Sequence, residues 1–216
     1  MSNIITQPPI IYFHSVAPVK NPSWVRSYLT LELKYFEEDF GVVDIDSTEA
    51  TKDYPLPGKI ESIAKALEMG VQNYFSKLGF EKAIIGLSGG IDSAVTAVIA
   101  ANALGKENVY VVLLPSQFSS SHSVSDAEKL AQNLGLTYDT IPIQDIYQSF
   151  ERTLKPLFKD LPFGLAEENI QARARGVVLM ALSNKFGHVL LNTSNKSEAA
   201  VGYGTLYGDM NGGLSV

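Results

Sequence analysis

The sequence predicts an α/β protein built on a doubly wound parallel sheet. From residue 58 onward, short apolar runs of strand length alternate with longer stretches whose apolar residues recur at helical spacing. Strands that alternate with helices pair in parallel, and the helices then cover both faces of the sheet. Glycines close three of the helical stretches, at Gly79, Gly105 and Gly135. Parallel sheets bind ligands beyond the carboxyl ends of their strands, so chemistry is expected there.

Each element follows from its local pattern. The first helix opens at Pro57-Gly58 and ends at Gly79, and it places apolar residues such as Val71 and Phe75 on one face. The strands are runs of five to seven mostly apolar residues, several of them β-branched. After the first helix, we predict strands at 83–87, 109–114, 137–143 and 188–192, and helices at 93–104, 125–134, 146–158 and 167–186.

Two helices invite a closer interpretation. Residues 123–126 read SVSD, which predicts a capping box at the start of the helix that follows, with a flexible turn before it. The helix at 167–186 has an apolar face that we interpret as core. That face comprises Ile170, Val177, Val178 and Leu182.

Residues 1–57 carry no chemical motif. Prolines interrupt the segment repeatedly. Two pieces have a regular pattern: residues 24–36 predict an amphipathic helix, and residues 41–46 predict a short strand. We interpret the segment as a linker or as the edge of a neighbouring domain.

Composition excludes several classes of protein. The 216 residues include no cysteine, which excludes disulfides, thiolate metal sites and cysteine nucleophiles in this chain. The three histidines are far apart, which argues against a histidine-rich metal site. The net charge of −6 disfavours a nucleic-acid partner, and the apolar runs are too short to span a membrane. The N-terminus lacks the pattern of a signal peptide, so we expect a cytoplasmic protein.

The segment from Gly86 to Ser93 reads GLSGGIDS and lies between a predicted strand and a predicted helix. Gly89 and Gly90 allow a tight turn and a close approach of the backbone to a ligand. The amides of this turn and of the helix start then form a cradle for an anion. Since a carboxylate repels phosphate, Asp92 indicates a Mg²⁺ ion between itself and the phosphates. The segment lacks the lysine of a Walker loop, and we predict that it binds nucleotide phosphates.

A second motif follows the last predicted strand. The chain reads NTSNKSE over residues 192–198 and GYGTLYGD over residues 202–209. Thr193, at the strand end, is placed to reach a nucleotide. Glu198 lies one helical turn further on, where it and Asp92 would hold Mg²⁺ on triphosphate oxygens from two separate strand ends.

Both motifs also have an ordinary structural explanation. The first would be a glycine-rich turn in which Asp92 only caps a helix. The second would be a helix cap at Ser194 or Asn195 followed by a solvated Glu198. Periodicity alone does not separate the functional and the structural explanations of the second motif.

Together the motifs resemble those of a known family. SGGxDS is the signature of the ATP pyrophosphatases, which attack ATP at its α-phosphate and release pyrophosphate. The string TSNKSExxxGYxTxYGDMxGG is similar to the glutamine-dependent NAD synthetases, and the resemblance runs from about Pro57 to Val216. It implies an adenine nucleotide α-hydrolase-like fold. It also implies a ligase that adenylates the carboxylate of deamido-NAD with ATP and lets ammonia displace AMP.

The resemblance implies roles for individual residues as well. Asp92 and Glu198 would hold Mg²⁺, and Asp92 and Asp209 would serve catalysis, Asp209 by positioning ammonia or the nicotinate end. Asn169, Arg173 and Glu198 would contact deamido-NAD, and a guanidinium suits this task because it binds phosphate or carboxylate through two hydrogen bonds. The implied ATP contacts are Gly86, Leu87, Ser88, Gly89, Gly90, Ile91, Asp92, Ser93 and Thr193.

The family also frames the organisation of the chain. Its glutamine-dependent members carry an N-terminal nitrilase-like glutaminase domain. We therefore expect residues 1–57 to be a linker or a remnant of that domain, and residues 58–216 to be a synthetase domain truncated at its C-terminus. Ammonia would come from solution, or from glutamine through another domain or chain, and the protein would be at least a dimer. Two alternatives stay open: a truncated nucleotide-binding or assembly module without turnover, and another SGGxDS enzyme such as a GMP-synthetase-like ligase.

Overall fold

The structure is a computed structural model, and it describes residues 34–40 and 58–216. The chain divides into two compact units, residues 1–66 and 67–216. All strands of the described residues and both predicted motifs belong to the second unit.

In the first unit, the described residues 34–40 form a turn. The Asp39 carboxylate accepts hydrogen bonds from the backbone amides of Lys34 and Phe40, at 3.1 and 2.9 Å. The last three residues of the helix predicted at 24–36 fall in this turn and are not helical. The rest of that helix and the strand predicted at 41–46 lie outside the described residues.

The described residues form alternating strands and helices, as predicted. None of these helices is both long enough and apolar enough to cross a membrane. A short 3-10 turn at Lys106–Asn108 precedes the second strand. The strands are β1 (Ala83–Gly86), β2 (Val109–Leu113), β3 (Thr137–Thr140), β4 (Val189–Asn192) and β5 (Leu214–Ser215), and the helices are α1 (Lys59–Leu78), α2 (Ile91–Leu104), α3 (Ser121–Leu134), α4 (Gln144–Phe158), α5 (Leu165–Phe186) and α6 (Lys196–Val201).

The five strands form one sheet in the order β3-β2-β1-β4-β5, and every neighbouring pair is parallel. The chain moves outward from β1 to β3 and then returns to the other side of β1 as β4. The direction of winding therefore reverses between β1 and β4, where Ala83 pairs with Val189 and Ile84 with Leu190. Such a reversal leaves a crevice at the carboxyl ends of the two strands.

Apolar side chains pack on both faces of the sheet. In β1, Ile85 belongs to a buried cluster that includes Phe75 of α1 and Ala97 of α2. Its neighbour Ile84 belongs to a second cluster that includes Ala174 of α5. Because successive side chains of a strand point to opposite faces, the two clusters are the two cores of a doubly wound sheet. The predicted fold class is confirmed.

Several predicted boundaries shift for local reasons. The strand predicted at 137–143 ends at Thr140, because Pro142 has no amide hydrogen to donate to a ladder. The Ile143 amide donates instead to the Pro115 carbonyl at 3.0 Å. Strand β5 was not predicted, and helix α6 was implied only by the helix cap proposed at Ser194 or Asn195, because two and six residues are too few for a periodic pattern.

The predicted capping box before α3 is wrong. The N-cap is Ser120, whose Oγ accepts a hydrogen bond from the Ser123 amide at 3.0 Å. The helix therefore begins four residues earlier than predicted, at Ser121. Ser120 and Ser123 are both of a residue type that caps helices, so the sequence pattern alone did not distinguish between them.

The apolar face predicted on α5 is correct in part. Val178 and Leu182 pack against the second core cluster, as predicted. Val177 is 61% exposed, so its assignment to the core is wrong. Neighbouring residues of a helix are separated by about 100° around its axis. Because Val178 faces the sheet, Val177 is turned away from it.

Helix α5 is also the wall against which the second motif packs. A Cβ at Gly176 would lie 3.0 Å from the carbonyl oxygen of Gly208 and 3.1 Å from that of Tyr207. A Cβ at Gly208 would in turn lie 3.0 Å from the Ala172 backbone. These distances leave no room for a side chain, so a mid-helix glycine permits the contact.

This contact predicts opposite effects for two glycine substitutions. Gly70→Ala, on α1 with no atom within 4 Å of the new Cβ, should stabilise the protein by about 0.5–1 kcal/mol. Gly176→Ala gains the same helix propensity but should destabilise the protein by about 1–3 kcal/mol, because backbone must move. Urea unfolding measures both values. Equal stabilisation by the two substitutions would show that α5 and the second motif are not in close contact.

Candidate active site

Ser88 and Ser93 hold the loop from β1 to α2 in shape. Ser93 is buried, and its Oγ accepts from the Ser88 amide at 3.2 Å and donates to the Gly90 carbonyl at 3.1 Å. The Ser88 Oγ lies 3.0 Å from the Ser93 Oγ and accepts from the Gly90 amide at 3.1 Å. The two hydroxyls thus fix the shape of the turn itself. From the sequence, Ser88 and Ser93 were expected only as contacts of ATP.

The start of α2 is open to a ligand. Its N-cap is Gly90, which has no side chain and makes no side-chain cap. The first amides of a helix have no partner within the helix, and the helix dipole places partial positive charge there. Asp92 and Ile91 lie in this first turn and are exposed. The arrangement suits binding of phosphate oxygens, as the sequence predicted.

Gly89 brings the turn against the start of α3. Its φ of +83° is in the region that favours glycine. A Cβ on this residue would lie 2.8 Å from the Cα of Ser123 and would overlap its carbonyl oxygen. The loop from β1 to α2 (residues 86–93, the predicted phosphate loop) therefore packs against the start of α3 at the carboxyl edge of β1 and β2.

The motif after β4 begins with a partly buried turn and a short helix. Asn195 is the N-cap of α6, and its Oδ1 accepts hydrogen bonds from the amides of Ser197 and Glu198 at 2.9 and 3.0 Å. Glu198 completes a capping box, since its Oε2 accepts from the Asn195 amide at 3.2 Å. The cap expected in the structural explanation is therefore present at Asn195, but Glu198 is half-buried rather than solvated. Thr193 lies between β4 and this cap and is half-buried.

One hydrogen bond joins the two motifs. The Asn195 Nδ2 donates to the Asp92 Oδ1 at 3.1 Å, across 103 residues of sequence. Asp92 and Glu198 therefore contact the same residue. The two predicted Mg²⁺ ligands are thus linked through Asn195, Asp92 by its side-chain amide and Glu198 by its backbone amide, and Asp92 is not a helix cap.

These residues fit a Mg²⁺ ion. Mg²⁺ takes one or two protein carboxylates and completes its octahedron with phosphate and water oxygens. Asp92 and Glu198 each use one oxygen for the bond to Asn195, and the second oxygen takes part in neither bond. Within the part of the chain that the structure describes, no cluster of three or more acidic, histidine or cysteine residues could hold a metal by protein ligands alone. The site therefore suits a metal that arrives with a phosphate group.

Two of the three residues predicted to bind deamido-NAD lie beside the 205–209 turn. The Thr205 hydroxyl donates to the Asn169 Oδ1 at 2.9 Å, and the exposed Arg173 donates through Nε to the Leu206 carbonyl at 3.2 Å. The Thr205 amide also donates to the Oδ1 of Asp209, the second residue predicted to serve catalysis, at 2.6 Å. Helix α5 and this turn thus bring Asn169 and Arg173 near Asp209, whereas Glu198, the third predicted contact, hydrogen-bonds to Asn195.

Asn192 connects these two groups. It is buried at the end of β4, and its Nδ2 donates to the carbonyls of Asp209 and Asn211 at 3.0 and 3.1 Å. Its Oδ1 accepts from the Ser194 amide at 2.8 Å. One side chain therefore holds both the turn before α6 and the turn that carries Asp209. Sequence reasoning noted Asn192 only as the first letter of a motif.

Arg175 is a second residue that sequence reasoning missed. Its Nε donates to the Leu114 carbonyl at 3.0 Å, and its Nη2 donates to the Ser116 Oγ at 3.3 Å. Burial lowers the pKa of this guanidinium from its usual value. Arg175 therefore ties α5 to the loop after β2, whereas Arg173, two residues away, faces the second motif. The ARAR pattern at residues 172–175 could have indicated this, because residues two apart on a helix face different sides and the two arginines therefore have different partners.

The position of Gly89 predicts a strong effect of one methyl group. Gly89→Ala should destabilise the protein by about 2–4 kcal/mol, because it combines a positive φ with backbone overlap. The matched control is Gly90→Ala, whose φ is −87° and whose new Cβ would meet only the Ser88 Oγ at 3.3 Å. Thermal unfolding without nucleotide should show a large loss for the first variant and a small one for the second. Equal melting temperatures would contradict the packing of this loop on α3.

Comparison with known proteins gives a consistent answer. The sequence model of the family described as NAD synthase matches residues 63–216. A glutamine-dependent NAD(+) synthetase from a Synechocystis strain is 57% identical over 185 residues, which cover 83% of this chain and 33% of that relative. The chain thus spans about a third of the length of the curated relatives that it matches.

Solved structures agree with the sequence comparison. The glutamine-dependent NAD+ synthetase of Acinetobacter baumannii, in complex with ADP, is 46% identical and superposes with a TM-score of 0.76 over 77% of this chain and 32% of that one. The NH3-dependent NAD synthetase of Campylobacter jejuni, in complex with nitrate, is 33% identical with a TM-score of 0.67 over 74% of this chain and 67% of that one. A family match over most of the chain, the same fold and the paired motifs at the crevice of the sheet lead to one conclusion: the chain belongs to the NAD synthase family.

Proposed function

We propose that this chain is the synthetase part of an NAD synthetase, which converts deamido-NAD, ATP and ammonia into NAD, AMP and pyrophosphate. The observation that carries the proposal is the hydrogen bond between Asp92 and Asn195. It joins the loop predicted to bind phosphates to a second motif whose 205–209 turn lies beside Asn169 and Arg173, two of the residues predicted to bind deamido-NAD. Membership of the NAD synthase family supports the same reaction.

ATP is proposed to bind along the loop from Gly86 to Ser93, with Thr193 as a further contact. The glycine turn and the uncapped start of α2 offer amides to phosphate oxygens, which explains why the loop has no lysine. The complex of an Acinetobacter relative with ADP supports an adenine nucleotide as ligand of this family. Gly86 lets the end of β1 pack against α5, since a Cβ there would lie 2.8 Å from the Leu179 side chain.

Asp92 and Glu198 are proposed to hold Mg²⁺ beside these phosphates. When bound, Mg²⁺ neutralises phosphate charge and stabilises the charge that develops at the α-phosphate and on the departing pyrophosphate. The chain's own contribution is to bring two carboxylates from separate loops to one place through Asn195. Asp92 also lies in the first turn of α2, where the helix dipole favours a carboxylate.

Deamido-NAD is proposed to contact Asn169, Arg173 and Glu198. The Arg173 Nε is engaged with the Leu206 carbonyl, so the two terminal nitrogens of this exposed guanidinium can donate to a phosphate or carboxylate of the substrate. The Asp209 Oδ1 accepts from the Thr205 amide, and its other oxygen can accept a hydrogen bond from ammonia, which positions the nucleophile, or orient the nicotinate end. We keep this role of Asp209 as part of the proposal.

The chemistry requires no nucleophilic side chain. A carboxylate oxygen of deamido-NAD attacks the α-phosphorus of ATP, and the bond to pyrophosphate breaks. Ammonia then attacks the activated carbonyl carbon, AMP leaves with the bonding electron pair, and the nitrogen loses a proton to a base or to water. Positioning and charge stabilisation carry such a reaction, so a chain without cysteine can perform it.

The organisation of the whole protein stays a proposal. We propose that residues 58–216 form the synthetase domain and that residues 1–57 link it to a glutaminase domain or belong to one. Ammonia would then reach the site from glutamine or from solution, and at least two copies would assemble. A cytoplasmic location stays a prediction from the N-terminal sequence.

The test is NAD formation from deamido-NAD with ATP, Mg²⁺ and an ammonium salt, with glutamine in a parallel reaction. Asp92→Ala should reduce the rate by about a hundredfold or more, because the metal and the phosphate loop lose their link. Asp126→Ala is the matched control, since this exposed aspartate on α3 only approaches Lys129 at 3.9 Å.

Each outcome of this assay has a definite meaning. NAD formed with ammonium, and abolished only by Asp92→Ala, supports the proposal. Nucleotide binding without NAD formation would favour a binding module instead of a working ligase. NAD formation that survives Asp92→Ala would contradict the role given to the Asp92 carboxylate.

A further inference from the structure

Both polar side-chain atoms of Asn195 and its backbone amide make hydrogen bonds. Its Oδ1 accepts from the amides of Ser197 and Glu198, its Nδ2 donates to Asp92, and its backbone amide donates to the Glu198 carboxylate. An ordinary capping box explains the first of these and the bond to the Glu198 carboxylate. The bond from Nδ2 to Asp92 lies outside the cap, and it links Asp92 to the residue whose backbone holds Glu198, the second carboxylate that the proposed function assigns to a metal.

The capping bonds decide which way the amide group points. Two backbone N–H groups face one end of the Asn195 side chain, so the oxygen must lie there and the nitrogen must lie at the other end. Because the amide is planar, fixing Oδ1 at the start of α6 also fixes the two N–H bonds of Nδ2. One of these bonds is directed at the Asp92 Oδ1. The cap of α6 therefore determines the direction from which Asp92 is held.

We propose that Asn195 is a positioning residue whose side chain orients Asp92, next to the capping-box carboxylate of Glu198, for a divalent cation bound with ATP. The inference rests on the proposed function and adds a role that the metal ligands alone do not explain. Asn195 occupies one oxygen of each carboxylate and leaves the other oxygen of each for the cation. Groups that hold metal ligands by hydrogen bonds typically change metal affinity by about 10- to 100-fold when they are removed.

Substitutions of Asn195 can separate the positioning of Asp92 from the capping of α6. Serine and aspartate both cap helices as well as asparagine does, so neither substitution removes the cap of α6. Serine lacks the amide that reaches Asp92. Aspartate replaces that donor with a carboxylate about 3 Å from the Asp92 oxygen, so two like charges would face each other until a cation binds between them.

The experiment measures Mn²⁺ binding by electron paramagnetic resonance, with and without ATP, alongside thermal unfolding. Asn195→Ser should raise the dissociation constant of Mn²⁺ in the presence of ATP about tenfold, with little change in melting temperature without metal. The same substitution in an Asp92→Asn background should add almost nothing, because Asn195 acts through the carboxylate that has been removed. Unchanged Mn²⁺ affinity in Asn195→Ser would overturn the inference.

Asn195→Asp gives an independent readout, which also serves if the serine variant does not fold. Its melting temperature without metal should fall below that of the original protein, and Mn²⁺ should raise it by more than it raises that of the original. An equal response to Mn²⁺ in the two proteins would show that residue 195 only caps α6 and would overturn the inference.

The unsubstituted protein separates this inference from the function on which it rests. If that protein binds Mn²⁺ with ATP and the two variants behave like it, the inference alone fails. If the unsubstituted protein does not bind Mn²⁺ with ATP, the proposed nucleotide site fails and the inference fails with it. If it binds Mn²⁺ with ATP but makes no NAD, the effects of the two variants on Mn²⁺ affinity still decide whether Asn195 positions Asp92.

Discussion

The parallel pairing of β1 with β4 is the constraint on which the candidate site depends. These strands are separated by more than a hundred residues, and buried side chains on both faces of the sheet hold them side by side. Their carboxyl ends therefore emerge together, one into the phosphate loop and the other into the motif of Asn195 and Glu198. The hydrogen bond from Asn195 to Asp92 is possible only because the sheet has already brought the two loops together.

Close backbone packing supplies the second level of organisation. Gly89 lets the phosphate loop lie against α3, and Gly176 lets the second motif lie against α5. At the end of β4, the Asn192 side chain then adds three hydrogen bonds to the turns around it. The side chains proposed to contact ligands are few, and most of the other polar groups in these loops fix the shape of the backbone. Such preorganisation lowers the cost of arranging charges when the substrates bind.

The sequence predicted the fold class and the location of the site but not its internal connections. Strands and most helices are long enough for a periodic pattern, and glycine and hydroxyl residues after β1 and β4 have a direct chemical meaning. The roles of Asn192, Asn195 and Arg175 depend on partners far away in sequence, which no local pattern specifies. The predicted start of α3 is wrong for a local reason, since Ser120 and Ser123 both suit an N-cap and the Ser123 amide donates to Ser120.

Hydrogen exchange of the backbone amides, measured with and without ATP and Mg²⁺, tests the central claim that the two motifs form one site. The account predicts that residues 86–93 and 192–198 gain protection together when both ligands are present, and that omission of Mg²⁺ weakens the effect in both segments. Protection confined to the first segment would mean that the second motif is only a capped turn beside a phosphate loop. No protection in either segment would contradict the nucleotide site itself.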